Sequence, residues 1–344
     1  MSNLPGHWSS LIGKSVSDID TPALVIDLDA MKRNLVRMGE FAKKHGIRWR
    51  PHAKMHKSAT LATTLAAQGG QLAIAVDSGE GVIRLAKAMT DARGGSGIGA
   101  VIDVFVEIDV GHSRCGVEPG PAALNLVMEI RKHPALNFAG LQAYNGRAQH
   151  VRSSHDRRDA ITKVVDAVLM TRHLIEGQGI PVRLVTGGGT GSMLLEAASG
   201  VFGELQAGSF MFMDADYAQN ERDAAQPPFE HALFVKSQVM SIHAAHVVCD
   251  AGHKSHAIDS GLPLVQALNG EGRLAYFNGG DEHGILRPAI GSSYLPALGR
   301  TVWLIPGHCD PTVNLHDVLM GVEGGLRNGT VRRIFRVDAR GAMT

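Results

Sequence analysis

Basic side chains crowd into RWRPHAKMHK, Arg48 to Lys57. Side chains alternate along an extended segment, so a strand over Ile47 to Lys54 would put Arg48, Arg50, His52 and Lys54 on one face, with His56 continuing the series. Five basic groups on a buried face are costly unless an anion or a ligand meets them. A lysine among cations has its ammonium form disfavoured, which suits an amine that forms a Schiff base. An exposed basic strand end would give the same pattern. Pro51 also lacks the ladder donor a central strand needs.

Three other segments have chemical potential. VTGGGTGS, Val185 to Ser192, follows an apolar run; its glycines allow close backbone approach, and successive N–H groups can cradle a phosphate. No Gly-Lys-Ser/Thr follows, so it is not a P-loop, and it does not open a first βα unit as a dinucleotide fingerprint would. A tight turn without ligand explains the glycines equally well. IDVGHSRCG, Ile108 to Gly116, ends a strand in a polar loop carrying His112 and Arg114. PGHCDPT, Pro306 to Thr312, sets His308 and Asp310 two apart. Imidazole plus carboxylate suits Mn²⁺, Mg²⁺ or Zn²⁺ with positions left for water and substrate, although a hydrogen-bonded pair has the same spacing. The polar loops DAGHK (Asp250 to Lys254) and DEHG (Asp281 to Gly284) offer further ligands or an acid/base.

The elements that position these residues alternate. Pro22–Leu28 reads as a buried strand, followed by a helix from Asp29 to His45 with Met31, Leu35, Met38 and Ala42 at helical spacing and Asp29 as its cap. Further strands end near Lys54, Asp77, Val110, Tyr144, Gly187 and Phe212, separated by amphipathic helices. This pattern predicts a parallel sheet covered on both faces, an α/β barrel or a doubly wound sheet. In a barrel, Arg114 and the loop after Tyr144 would lie on the active face at the C-terminal strand ends. From Phe229 onward strand-like runs dominate, predicting an antiparallel β domain, and Pro227-Pro228 marks the boundary.

Composition narrows the function. The chain has 344 residues, 34 basic against 33 acidic, and no long basic run, which disfavours a general nucleic-acid binder. No apolar run approaches the roughly 18 residues that span a bilayer, and the N-terminus shows no secretory signal. Three cysteines, Cys115, Cys249 and Cys309, make neither a disulfide framework nor a Cys-only zinc site. A reduced, cytoplasmic setting is the simplest expectation.

Together, PHAKMHK, VTGGGTGS, ELQAGSFMFMDADY (Glu204 to Tyr217) and PGHCDPTVNLHD, in this order over nearly the whole chain, resemble the family of D-threonine aldolases, D-serine dehydratases and 3-hydroxyaspartate aldolases. These are fold-type III pyridoxal-phosphate (PLP) enzymes akin to alanine racemase. The resemblance implies a PLP-binding (β/α)8 barrel over residues 22–228 and a β domain over 229–344 together with 1–21. It implies that Lys54 is the Schiff-base lysine and that the backbone of Gly189, Thr190, Gly191, Gly208 and Ser209 holds the phosphate. Gln206 would face the pyridine nitrogen, leaving it less positively charged than the arginine of racemases does. Arg114 would approach the phenolic oxygen of PLP, with Tyr144 in the opposite wall, and His308 and Asp310 would hold the divalent metal, Mn²⁺ first. Dehydratases of the family usually carry His-x-Cys there, so Asp310 tilts the expectation to an aldolase cleaving a D-3-hydroxy amino acid into glycine and an aldehyde. The base would be a metal-bound hydroxide or a histidine such as His155 or His283. Dehydration of D-serine or 3-hydroxy-D-aspartate, and 3-hydroxy-D-aspartate aldol cleavage, are the neighbouring activities. A PLP-homeostasis protein would lack the β domain, and the second catalytic tyrosine of a racemase is not identifiable. Such enzymes tend to be homodimers.

The strand count conflicts with a complete barrel. From the Lys54 strand onward six barrel strands can be counted, and a closed barrel needs eight. The shortfall falls between Gly70 and Gln71, where the family has two further βα units. The expectation is that a stretch is absent from this sequence, because deleting two adjacent strands would expose unpaired edges beside the cofactor.

Overall fold

The computed structural model describes residues 6–66, 73–96, 101–268 and 271–341. Two sheets organise it. Six strands pair in parallel in the order Arg48–Trp49, Glu204–Leu205, Leu184–Gly187, Leu136–Ala143, Ile102–Glu107 and Ala73–Val76. From Ala73–Val76 onward each strand lies beside its predecessor, and the last returns to pair with the first through Arg48 opposite Glu204. That is the wrap of a βα barrel. The six strands match the six counted in the sequence, and among the described residues no pairing joins Arg48–Trp49 to Ala73–Val76. Gly70 and Gln71, the point of the shortfall, lie outside the described residues.

Helices cover the sheet because their apolar faces match it. Pro121–Arg131 buries Ala123, Leu126, Val127 and Ile130, and Ser154–Glu176 buries Ile161, Val164, Val168 and Ile175. Each fully buried side chain of this kind contributes roughly 1.5–3 kcal/mol. The helix Leu28–His45 begins one residue before the expected Asp29. Its cap is Asp27, whose carboxylate accepts from the N–H groups of Asp29 and Ala30, and it stops at Gly46 in the left-handed region.

The second sheet has nine strands: Leu274–Asn278, Gly284–Pro288, Val247–Cys249, Leu233–Ile242, Ala23–Asp27, Val318–Glu323 and Thr330–Arg336 in order, with Thr301–Ile305 pairing Leu233–Ile242 and Leu264–Gln266 pairing Thr301–Ile305. It is antiparallel throughout except that Ala23–Asp27 runs parallel to Val318–Glu323. Thus the first strand, which reads in sequence with the alternating segment, sits in the β domain. Its apolar stretch Leu24 to Ile26 is buried on both faces, which this sheet provides as well as a barrel would. No helix among the described residues is long and apolar enough to cross a membrane.

Candidate active site

The chain segments leaving the C-terminal ends of the parallel strands converge on a cavity of about 210 Å³. It is lined by His52, Lys54, His112, Arg114, Tyr144, Arg147, His150, Gly189, Thr190, Gln206, Gly208, Ser209, Tyr217 and His308, with Met55 and Gly146 completing the wall. Every barrel-side residue expected in the site except Gly191 and His155 is therefore there, and so is His308 from the β domain.

Lys54 does not sit on a strand. Arg48–Trp49 ends before Pro51, and Ala53–Met55 form one 3-10 turn that carries Lys54. Proline ends the ladder, so the shared face of five basic groups does not form. The anion that a buried basic strand requires is nonetheless present. Glu204, almost wholly buried, accepts from Arg50 Nε at 2.9 Å and lies 3.8 Å from Arg48 Nε. Lys54 Nζ instead lies 3.1 Å from Asp310 Oδ2.

Part of the cavity lining is glycine-rich loop. Gly189, Thr190, Gly208 and Ser209 line it as buried residues, and their N–H groups have no acceptor among the described residues. Buried N–H groups without a partner are uncommon, and four of them in residues lining one cavity are the chemistry a phosphate needs. Gly191 differs from expectation: its N–H donates to Gln149 Oε1 at 2.9 Å, so it supports the loop from behind rather than facing the cavity. That support continues inward, with Gln149 Nε2 donating to Ser192 Oγ and Ser192 Oγ to Glu196 Oε1, both at 2.7 Å. A Cβ on Gly189 would come within 2.4 Å of Gln149 Oε1, and one on Gly191 within 2.6 Å of the Gln149 carbonyl oxygen. Glycine is therefore demanded by packing as well as by the ligand. Glu196 is fully enclosed, and burial pushes its carboxyl up to about 7.

The ring-sized part lies between Tyr144, Arg114, Gln206 and His52. The Arg114 guanidinium stands 5.9 Å from the centre of the Tyr144 ring. Its loop is pinned by Asp109, whose Oδ1 accepts from the N–H groups of Gly111, His112 and Ser113. Gln206 Nε2 donates to Thr186 Oγ1 at 3.1 Å and Gln142 Oε1 at 3.3 Å, which fixes the amide at the cavity floor. Burial raises the Tyr144 phenol to about 12 and lowers the His52 imidazole below its ordinary value.

The opposite wall comes from the β domain. His308 precedes the short helix Cys309–Val313, and Asp310 lies in its first turn. His308 Nδ1 and Asp214 Oδ2 are 2.7 Å apart, and the same carboxylate oxygen accepts from the Cys309 N–H. Asp214 is fully buried and caps the barrel-side helix Ala215–Ala218, whose leading N–H groups at Ala215 and Asp216 donate to the carbonyls of Pro306 and Gly307. The two domains thus meet at the site. A carboxylate on Nδ1 turns the other imidazole nitrogen, Nε2, toward the cavity as an electron-pair donor, the arrangement usual for metal-ligating histidine. His308 Nε2 lies 3.9 Å from Asp310 Oδ2, and Asp310 Oδ1 is buried without a hydrogen-bond partner. An imidazole nitrogen beside an orphaned carboxylate oxygen fits a divalent cation. No third His, Cys, Asp or Glu joins them among the described residues, so such an ion would keep open positions.

Neither His155 nor His283 lines the cavity. His155 is exposed in the first turn of Ser154–Glu176 beside Asp156 and Asp159, and His283 sits in the turn between Leu274–Asn278 and Gly284–Pro288. The histidine facing His308 is His150, with ring centres 6.4 Å apart. Its Nδ1 lies 2.6 Å from Asp216 Oδ2, and Arg152 also pairs with Asp216. Burial opposes ionisation of Asp216, but the His150 and Arg152 contacts outweigh it and hold the carboxyl down at about 2. His150, Tyr217 and Asp214 were not singled out in sequence, although Asp214, Asp216 and Tyr217 fall within the ELQAGSFMFMDADY run.

Comparison with known proteins agrees with this geometry. Residues 64–216 match the alanine racemase N-terminal domain and residues 232–322 a putative serine dehydratase domain. D-threonine aldolase of Arthrobacter sp is 38% identical, covering 96% of this chain and 95% of the relative, and 3-hydroxy-D-aspartate aldolase of Paracoccus denitrificans (strain Pd 1222) is 35% identical with the same coverage. The first alignment runs over 374 positions, more than this chain's 344 residues supply, so the relative carries residues that this chain lacks. The crystal structure of D-threonine aldolase from Filomicrobium marinum superposes with a TM-score of 0.88 at 38% identity, over 97% of this chain and 99% of that one. The fold is that of alanine racemase, a barrel followed by a sheet domain, and the chain belongs to the family of PLP-dependent aldehyde-lyases that includes D-threonine aldolase and 3-hydroxy-D-aspartate aldolase.

Proposed function

We propose that this chain is a PLP- and divalent-metal-dependent aldolase that cleaves D-3-hydroxy amino acids to glycine and an aldehyde. The observation that carries the reading is the convergence, on one cavity, of Lys54, His308 and a set of unpartnered backbone N–H groups, with Asp310 and its orphaned oxygen directly behind Lys54 and His308. PLP supplies an electron sink for the charge left on Cα, and a divalent ion lowers the pKa of the substrate's β-hydroxyl. Lys54 is the amine that anchors the cofactor. The N–H groups of Gly189, Thr190, Gly208 and Ser209 would hold its phosphate, and Arg114, Gln206 and Tyr144 would line its ring, Arg114 toward the phenolic oxygen and Gln206 toward the ring nitrogen. His308 Nε2 and the Asp310 carboxylate hold the ion.

The proton leaving the β-hydroxyl goes to His150 Nε2. Three histidines besides His308 line the cavity, and their partners separate them. His112 Nδ1 accepts from the Gly146 N–H, which places its own proton on Nε2. Burial, followed by the charge of Lys54, lowers the basicity of His52. His150 has its Nδ1 held by a carboxylate, so Nε2 carries the lone pair, and the Asp216 charge stabilises the imidazolium once formed. His150 thus takes the role first assigned to His155 or His283.

Lys54→Ala should lose the visible absorbance of bound PLP and all measurable cleavage while remaining folded. A normal cofactor spectrum in that variant would contradict the assignment of Lys54. A homodimer in the cytoplasm is the proposed working form, by analogy with fold-type III enzymes.

A further inference from the structure

One full cation in the cavity has no role in the chemistry above. Arg147 lines the same cavity as Lys54 and His308, is exposed, and makes no hydrogen bond or ion pair among the described residues. Its backbone, by contrast, is fixed. Asn145 Nδ2 donates to the Val110 carbonyl, Asn145 Oδ1 accepts from the Ala148 N–H, and the flanking Gly146 N–H donates to His112 Nδ1. A long cationic side chain therefore projects from a rigid loop.

None of the lining residues is acidic. The nearby carboxylates are engaged elsewhere: Asp310 with Lys54, Asp216 with His150 and Arg152, and Asp109 with three backbone N–H groups. Among the described residues the protein thus offers Arg147 no counter-ion. Its charge also contributes, after burial and Arg114, to holding the His112 imidazole neutral. With the backbone N–H groups assigned to phosphate and Arg114 to the phenolic oxygen, Arg147 is the cation of the lining left for the substrate. A guanidinium takes a carboxylate through two parallel N–H···O bonds. A D-3-hydroxy amino acid with an acidic side chain brings one carboxylate more than D-threonine does.

We propose that Arg147 binds the side-chain carboxylate of an acidic D-3-hydroxy amino acid and so makes 3-hydroxy-D-aspartate a better substrate than D-threonine. This rests on the aldolase reading above and assigns its substrate class. Discrimination of this kind is strong because a substrate lacking the group leaves the arginine without its partner.

The test compares wild type, Arg147→Ala and Arg147→Lys as holoenzymes with Mn²⁺. In Arg147→Ala, kcat/KM for 3-hydroxy-D-aspartate should fall about 10- to 100-fold, mainly through KM, and much less for D-threonine, with partial recovery in Arg147→Lys. A second readout needs no cleavage. D-aspartate and D-alanine lack the β-hydroxyl, and their Kd follows from the change in cofactor absorbance; only D-aspartate should bind more weakly to Arg147→Ala. Equal losses for both members of each pair would place Arg147 on the α-carboxylate and overturn the proposal, as would no loss in either. If the wild type cleaves neither substrate, the aldolase reading fails, and the D-aspartate and D-alanine titrations still decide the role of Arg147.

Discussion

In the proposed site one wall would meet a ligand through backbone N–H groups, the other through His308 with Asp310 behind it. The first wall is held from behind within the barrel, through Gln149, Ser192 and Glu196. The second belongs to the β domain but is oriented by Asp214, a barrel-side carboxylate 94 residues earlier in the chain. The contrast separates two ways of building a site. A backbone cradle needs residues that take up no room, so it is sensitive to any added atom. A side-chain pair needs its tautomer fixed, so it is sensitive to the loss of one carboxylate across the domain junction.

The largest effect should come from that carboxylate. Asp214→Asn keeps the volume but removes the charge that holds His308 Nδ1–H, and we expect a loss of about 10- to 100-fold in metal affinity and in activity. Binding of PLP, followed by absorbance, should hardly change, since Asp214 touches none of the cradle. Parallel loss of PLP and metal would mean that the two walls are not independent.

A smaller effect is expected on the cradle side. In Gly191→Ala the new methyl would press on Gln149 backbone at 2.6 Å, where no flexible side chain can give way. Overpacking of this kind costs roughly 1–3 kcal/mol, and PLP affinity should fall about tenfold while Mn²⁺ binding to the apoprotein is retained. Unchanged PLP affinity would show that the loop is looser than its hydrogen bonds suggest.

The smallest effect is a pH dependence behind the cradle. Glu196, raised by burial to about 7, keeps a proton in the folded state over a range where an ordinary carboxyl has lost it. The folded state then binds more protons than the unfolded one, so this group's contribution to stability is present below pH 4.5 and declines as pH rises from there toward 7. Urea unfolding at pH 5 and pH 8 should show Glu196→Gln losing less stability than wild type, by on the order of 1 kcal/mol. Equal slopes would place the carboxyl in its ordinary range.

Sequence carried the two walls unequally. The glycine-rich turn and the lysine motif were each legible because they are compact runs that follow strand ends, and the strand count of six matches the six-stranded parallel sheet of the described residues. The His308–Asp310 pair is a weak signal by itself, since His-x-Asp is a common spacing, and the resemblance is what singles it out. What escaped was contact over distance. Asp214 with His308 and Asp216 with His150 join residues 94 and 66 apart, which no local pattern encodes. His155 and His283 were named by residue type, His150 was not considered, and nothing in the chain indicated that the 3-10 turn Arg147–His150 would bring that histidine to the cavity. The basic strand failed at Pro51, where local backbone chemistry overrode the period-two pattern.

The central claim is that Lys54, the cradle and the His308–Asp310 pair together support metal-assisted cleavage between Cα and Cβ. The most direct measurement is product analysis of the holoenzyme with D-threonine and 3-hydroxy-D-aspartate, before and after EDTA. Glycine and an aldehyde should form, cease on chelation and return with Mn²⁺. Release of ammonia and a 2-oxo acid, or full cleavage after chelation, would contradict the account.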